Sequence, residues 1–218
     1  MTRRGVLGVC TLAAAILLSG CFTGKRPHFN SDPLAQGVPT GDAVVDAVLS
    51  KLDAVTAGPA TGVYTVLTKF GNTTVLAVVA LDRGRRVVEV GTVRFLDTGD
   101  AQYTCTIEAG TDRSTDCTTG FTPARISDVG ITIDFYAAEA ATRLRRDAQA
   151  QLAPAVGHEE VIANQNATCV AVTLTGGTAT YCVLANGMIA KLDDGDVLIT
   201  LGLLVTTVEG AKFVPPNP

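Results

Sequence analysis

The sequence predicts an α+β fold: an antiparallel β-sheet packed on two helices and stapled by two hairpin disulfides. Three observations predict it. Short runs of apolar and β-branched residues alternate with Gly, Asn and Asp turn residues, the spacing of an antiparallel meander. Two segments, near residues 42–55 and 135–152, instead carry apolar residues at helical spacing. Cys105, Cys117, Cys169 and Cys182 form two close pairs in sequence, each flanking a hairpin turn.

At the N-terminus, Arg3 and Arg4 precede an uncharged apolar run from Gly5 to Leu18, closed by Ser19-Gly20-Cys21. Crossing a bilayer takes about 20 apolar residues, so this run is short. The pattern resembles a bacterial lipoprotein signal. Residues 1–20 would be removed, and Cys21 would become the lipidated first residue. An ordinary cleaved export signal and a retained membrane helix are the alternatives. Residues 21–40 are rich in Pro, Gly and small polar side chains and read as a flexible tether of roughly 25 Å mean span.

Residues 41–210 read as one domain. Thr40-Gly41-Asp42 supplies N-capping chemistry for the first helix, whose stripe is Val45, Val48, Leu52 and Val55. Strand patterns follow at Gly62–Lys69, Thr73–Leu81, Arg86–Val90, Thr92–Leu96 and Ala101–Glu108, with turns at Gly71-Asn72, Arg83-Gly84 and Asp97–Asp100. Asp134 is an N-cap for Phe135–Leu152, and Pro154 stops that helix. Strands resume after His158, at Glu160–Ala163, Ala167–Leu174, Ala179–Leu184, Met188–Leu192 and Val197–Val208. The Asn-Gly and Asp-Gly steps between them tolerate the positive φ of tight hairpin turns. Residues 211–218 read as a Pro-rich tail.

Charge and cysteine usage narrow the function classes. The chain has 17 basic and 21 acidic residues, and the leader holds Arg3 and Arg4 but no acid, so the mature chain carries a formal −6. That excludes the basic footprint of a nucleic-acid binder and leaves the lipid on Cys21 as the expected membrane attachment. Four cysteines in an exported domain permit three pairings. Spacing favours Cys105–Cys117 and Cys169–Cys182, each closing a loop that contributes on the order of 3 kcal/mol by chain entropy. Zinc is the rival reading, but neither pair has CxxC spacing or a histidine nearby in sequence.

No catalytic set stands out. The mature histidines are His28 in the tether and His158 after the second helix, and no serine sits in a GxSxG elbow, so a non-enzymatic protein without cofactor or metal is expected. Asp193-Asp194-Gly195-Asp196 lacks EF-hand spacing and reads as a hairpin turn. Arg143, Arg145 and Arg146 form a dense basic cluster, which is either an anion contact or a solvated helix face. Val75–Leu81 and much of Val197–Val205 are apolar at successive positions. Such strands are covered on both sides or line a cavity with one face. Val63, Leu67, Leu76, Val78, Val88 and Phe95 are the candidate wall residues of such a cavity.

The element order of lipobox, tether, capped helix, long meander, mid-chain helix and returning strands resembles the LolA-like fold of lipoprotein carriers, including the mycobacterial LppX and LprG type. The stretch from Asp134 to Arg146 and the Thr168-Cys169…Tyr181-Cys182-Val183-Leu184 hairpin look like those of uncharacterised actinobacterial lipoproteins. The resemblance implies a strongly curved half-barrel wrapped over helices, with a hydrophobic cavity for acyl chains. The expected function is then a membrane-anchored extracytoplasmic lipoprotein that binds or carries lipid or another hydrophobic ligand. An envelope protein–protein interaction or structural lipoprotein with no small ligand is the alternative.

Overall fold

Eleven strands hydrogen-bond into one open sheet in which every neighbouring pair is antiparallel. In the computed structural model the described residues are 32–54, 59–108, 110–111, 113–125 and 138–215. Contacts divide the chain into Met1–Asp32, of which only Asp32 is described, and Pro33–Pro218, which holds everything below. Cys21 and the signal segment therefore lie outside the described residues.

The strands are β1 (Ala60–Thr68), β2 (Thr73–Asp82), β3 (Arg85–Val90), β4 (Val93–Asp97), β5 (Gln102–Ile107), β6 (Ser114–Thr119), β7 (Val156–Ile162), β8 (Gln165–Leu174), β9 (Gly177–Leu184), β10 (Ile189–Asp193) and β11 (Val197–Val205). Their order in the sheet is β6-β5-β4-β3-β2-β1-β11-β10-β9-β8-β7. Two meanders of consecutive strands thus join through a single non-sequential pairing, β1 with β11. Cys105–Cys117 staples β5 to β6, and Cys169–Cys182 staples β8 to β9, the pairing that spacing favours.

Turn chemistry sets the registers. Arg83 and Gly84 both have positive φ between β2 and β3, and Ala163 and Asn164 both do so between β7 and β8, the geometry of a tight two-residue hairpin. The second turn falls one residue earlier than the Asn-rich pattern predicts. Strand β7 accordingly starts at Val156 and includes His158, which sequence spacing places before the strands resume.

Helix α1 (Ala43–Leu52) is capped by the Asp42 carboxylate, which accepts from the Val44 and Val45 amides. It buries Val45, Val48, Leu49 and Leu52, ending short of Val55, which lies outside the described residues. Helix α2 (Ala138–Ala150) buries Ala140, Ala141, Leu144 and Ala148, while the stripe residue predicted beyond it, Leu152, is exposed. The start of the predicted helix, residues 135–137, is not described. Both helices lie against one face of the sheet over β8, and α1 also reaches β7 and β9. We call this the inner face. Its core runs on through Tyr64, Val66, Ala77, Val79, Val88 and Phe95 of β1–β4.

Two close approaches fix this packing. The Tyr64 hydroxyl crosses the core to donate to the Ile189 carbonyl at 2.9 Å. Beside it, a Cβ on Gly62 would come within 2.7 Å of Tyr64 Cε2, 2.9 Å of Met188 Cε and 3.0 Å of Leu201 Cδ1. Gly62→Ala is therefore expected to cost about 1–3 kcal/mol by overpacking, read as a lower urea midpoint at constant m-value. An unchanged midpoint would mean that the three side chains have room to move.

Part of the segment read as tether is tied down. The Gln36 side chain donates to the Asp53 carbonyl, and the Gly37 amide to the Asp53 carboxylate. Thr40 and Gly41 bond Asp46 of α1. Burial alone would raise the Asp46 pKa, but those bonds and the nearby Arg145 charge outweigh it and hold the carboxyl below its ordinary range.

Candidate functional site

The outer face of the central strands carries the unusual surface. Directly opposed residues of an antiparallel pair share a face. On β1 and β2, Val63 opposes Val78, Thr65 opposes Leu76, and Leu67 opposes Thr74. Across β1 and β11, Thr61 opposes Val205, Val63 opposes Leu203, Thr65 opposes Thr200, and Leu67 opposes Leu198. Gly202 sits at the register shift, an extra residue of the kind that twists a strand locally. Between Thr61 and Leu67, Thr74 and Val78, and Leu198 and Val205 this face presents Leu, Val and Thr with no charged side chain, and Asp82 at the far end of β2 pairs with Arg85. Leu76 is 65% exposed and Leu203 54%.

The neighbouring part of the same face is covered. After β11 the chain crosses the outer face and forms a short 3-10 turn, Gly210–Phe213. Phe213 is buried among Ala80, Val87 and Leu96, with Tyr103 and Val208 at the margin. The Arg85 guanidinium lies 4.6 Å from its ring centroid, within cation–π range. Thr61 Oγ1 donates to the Thr207 carbonyl. Lys212 Nζ donates to Glu89 Oε2 at 2.8 Å, and Arg94 Nε donates to Glu89 Oε1 at 2.7 Å. Arg94 also donates to Ser114 Oγ. Residues 211–213 of the segment that composition reads as a tail thus belong to a strap that shields Ala80, Val87 and Leu96. The adjoining Val63, Leu76, Val78 and Leu203 have no such cover among the described residues.

The six candidate wall residues do not share one surface. Val63, Leu67, Leu76 and Val78 lie on the outer face, whereas Val88 and Phe95 are fully buried in the inner core. Phe95 meets Phe121 edge to face, with ring centroids 5.8 Å apart. One open recess of about 730 Å³ lies where β2 meets the β3–β4 turn, lined by Val75, Leu76, Val90, Val93 and Arg125 around Gly91-Thr92. Leu76 is the single wall candidate that reaches it.

The polar clusters singled out by the sequence are absorbed into structure. Arg143 pairs with Asp194 at 2.5 Å, and Arg145 pairs with Asp53 and donates to the Val38 carbonyl, while Arg146 is exposed. Asp194 also accepts the Asp196 and Val197 amides, closing the β10–β11 turn. Burial alone would raise the Asp194 pKa; the backbone bonds and Arg143 outweigh it, and its carboxyl is lowered. Its neighbour Asp193 pairs with Lys69 at 2.7 Å. The turn acids therefore neutralise cations of the chain itself. Nearby, Tyr181 donates to Asp147 at 2.5 Å across the helix–sheet interface. Burial pushes the Asp147 carboxyl above its ordinary range, with the Asp194 charge adding to the rise. Burial and the bond to Asp147 push the Tyr181 hydroxyl far up as well.

Sequence spacing misses one cluster. His158 directly opposes Cys169, and Cys169 opposes Cys182, so a histidine remote in sequence lies beside the second disulfide. Glu160 joins it from two residues along β7. The available signal was the His-x-Glu alternation within a strand, which puts both side chains on one face.

No protein-family model matches the sequence, and no curated protein matches it at a significant level. Among solved structures, MucB in complex with MucA(peri) is similar at 13% identity and a TM-score of 0.42, over 75% of this chain and 56% of that one. MucB alone matches at 12% identity and a TM-score of 0.37, over 81% of this chain and 64% of that one. The Pseudomonas aeruginosa MucA/MucB complex matches at 12% identity and a TM-score of 0.36, over 80% and 62%. The chain spans less than two thirds of the length of each. Likeness at this level assigns no partner. No helix among the described residues is long and apolar enough to cross a membrane.

Proposed function

We propose that this chain is a non-catalytic extracytoplasmic lipoprotein, anchored through Cys21, whose domain docks another envelope protein through the outer face of β1, β2 and β11. The carrying observation is the uncharged Leu/Val/Thr surface centred on Val63, Leu76, Val78 and Leu203, left open beside a strap that covers the adjoining apolar positions. Contiguous apolar surface rimmed by polar residues marks interaction sites. A mature charge of −6 opposes pairing with a second copy, so the occupant is a different protein with an apolar, uncharged contact patch. The open sheet of two meanders and two helices also supports the LolA-like half-barrel as the fold family.

Leu76→Asp with Leu203→Asp tests the reading. Both side chains are exposed, so the pair is expected to shift stability by no more than about 0.5 kcal/mol each. Chemical cross-linking on membranes that carry the anchored protein is expected to lose its discrete protein adduct. Adducts that survive both charges would place the contact elsewhere.

A second reading, binding of an apolar ligand, is favoured by the recess of about 730 Å³ at Val75, Leu76, Val90, Val93 and Arg125, a size usual for ligand sites. Native mass spectrometry of soluble protein beginning near Asp32 is expected to show co-purified lipid if that reading holds. Ligand-free protein that takes up no fluorescent acyl probe would rule it out.

A further inference from the structure

We propose that His158, Glu160, Cys169 and Cys182 form a zinc site that becomes available when the Cys169–Cys182 disulfide is reduced. The register brings the four together: His158 opposes Cys169, Cys169 opposes Cys182, and Glu160 lies two residues from His158 on the same face of β7. One donor atom from each lies within 4.8 Å of all the others. Glu160 Oε2 is 3.8 Å from His158 Nε2, 4.0 Å from Cys169 Sγ and 3.8 Å from Cys182 Sγ. Around tetrahedral zinc, with bonds of about 2.0–2.3 Å, donors sit about 3.3–3.8 Å apart. The carboxylate and imidazole are therefore already spaced as ligands, and the remaining change is for the two sulfurs to part once the bond between them breaks.

The surroundings suit a metal. Both cysteines are buried, while His158 and Glu160 are partly exposed (side chains 42% and 38%) and give an ion its path in. Glu160 Oε1 faces Lys191 Nζ at 3.7 Å. The carboxylate thus turns one oxygen to the cluster and the other to a cation, the outer-shell arrangement that orients metal ligands. Zinc with two thiolates and one carboxylate carries a net −1, which Lys191 offsets. Among the described residues no other group of three or more His, Cys, Asp or Glu converges in this way, so Cys105–Cys117 is an internal control.

The chemistry balances with a dithiol reductant. The reductant's two thiols give two electrons and two protons to the Cys169–Cys182 bond, yielding two cysteine thiols and an oxidised, disulfide-bonded reductant. Zinc then displaces both thiol protons to solvent, because the thiolate is the ligand. Disulfide and zinc are mutually exclusive clamps on β8 and β9, and the zinc form also holds the edge strand β7.

Cobalt(II) titration of the reduced protein tests this. Reduced wild type, and the Cys105→Ser/Cys117→Ser variant, are expected to develop thiolate-to-cobalt charge transfer and the intense visible bands of tetrahedral cobalt, with one ion per chain displaced by zinc. Oxidised protein is expected to show neither. His158→Ala and Glu160→Gln are each expected to weaken binding by at least about tenfold, the low end for loss of a supporting metal contact. If reduction unfolds the chain, zinc is expected to restore the β-sheet circular dichroism in wild type and not in His158→Ala. Absence of cobalt bands together with absence of zinc-driven refolding would overturn the proposal. So would binding unaffected by His158→Ala and Glu160→Gln, or equal binding by the oxidised protein.

Discussion

Replacing Arg145 with methionine is expected to destabilise the domain by about 3–5 kcal/mol, the cost of breaking a buried ion pair from one side. Arg145 is 1% exposed on α2. It pairs with the Asp53 carboxylate at the end of α1 and donates to the Val38 carbonyl at 2.8 Å. Asp53 also holds the Gly37 amide. One guanidinium therefore ties α2, the end of α1 and the incoming chain together. Methionine would fill much of the volume but leave a largely buried carboxylate without its counter-charge. Adding Asp53→Leu is expected to recover part of the loss, because removing both charges ends the desolvation penalty. Urea denaturation of the two variants reads this directly. A double variant no more stable than Arg145→Met would show that the pair acts through shape and not charge.

Phe213→Ala is expected to cost about 3 kcal/mol, the low end for deleting a buried phenylalanine. The low end applies because the strap lies over the sheet surface and can detach, so no rigid cavity forms. Phe213 is 3% exposed, yet its neighbours Ala80, Val87 and Leu96 are outer-face residues. Detachment would expose them together with the Glu89–Arg94 pair and enlarge the open apolar face. The variant is expected to bind more of an apolar dye while its far-ultraviolet circular dichroism stays unchanged. A stability loss without added dye binding would mean that the strap stays in place and the ring acts only by filling space.

Local patterns made much of the fold legible. The 3-4 spacing of Val45, Val48 and Leu52 found α1, and alternation with Gly and Asn punctuation found most strands. Cysteine spacing found both disulfides, because in a hairpin the partners are also near in sequence. What stayed hidden depends on long-range register. Whether Val63 and Val88 share a face cannot be read until β1, β2 and β3 are aligned; Val63 opposes Val78, and Val88 opposes Val79, which puts them on opposite faces. Arg145 looked like part of a solvated basic cluster because its partner Asp53 is 92 residues away. Phe213 lies just before a Pro-rich stretch with no strand or helix pattern, and its burial depends on the outer surface that β2–β4 form. His158 was separated from Cys169 by a hairpin whose turn sits at Ala163-Asn164, and one residue of register decides whether they meet.

The most direct measurement is site-specific photo-cross-linking from Leu203 in the membrane-anchored protein, with Thr178 on the exposed β8–β9 hairpin as the control. The expected result is one discrete protein adduct from position 203, lost when Leu76→Asp is added and absent from position 178. Lipid adducts alone, or a protein adduct indifferent to Leu76→Asp, would contradict docking through the outer face of β1, β2 and β11.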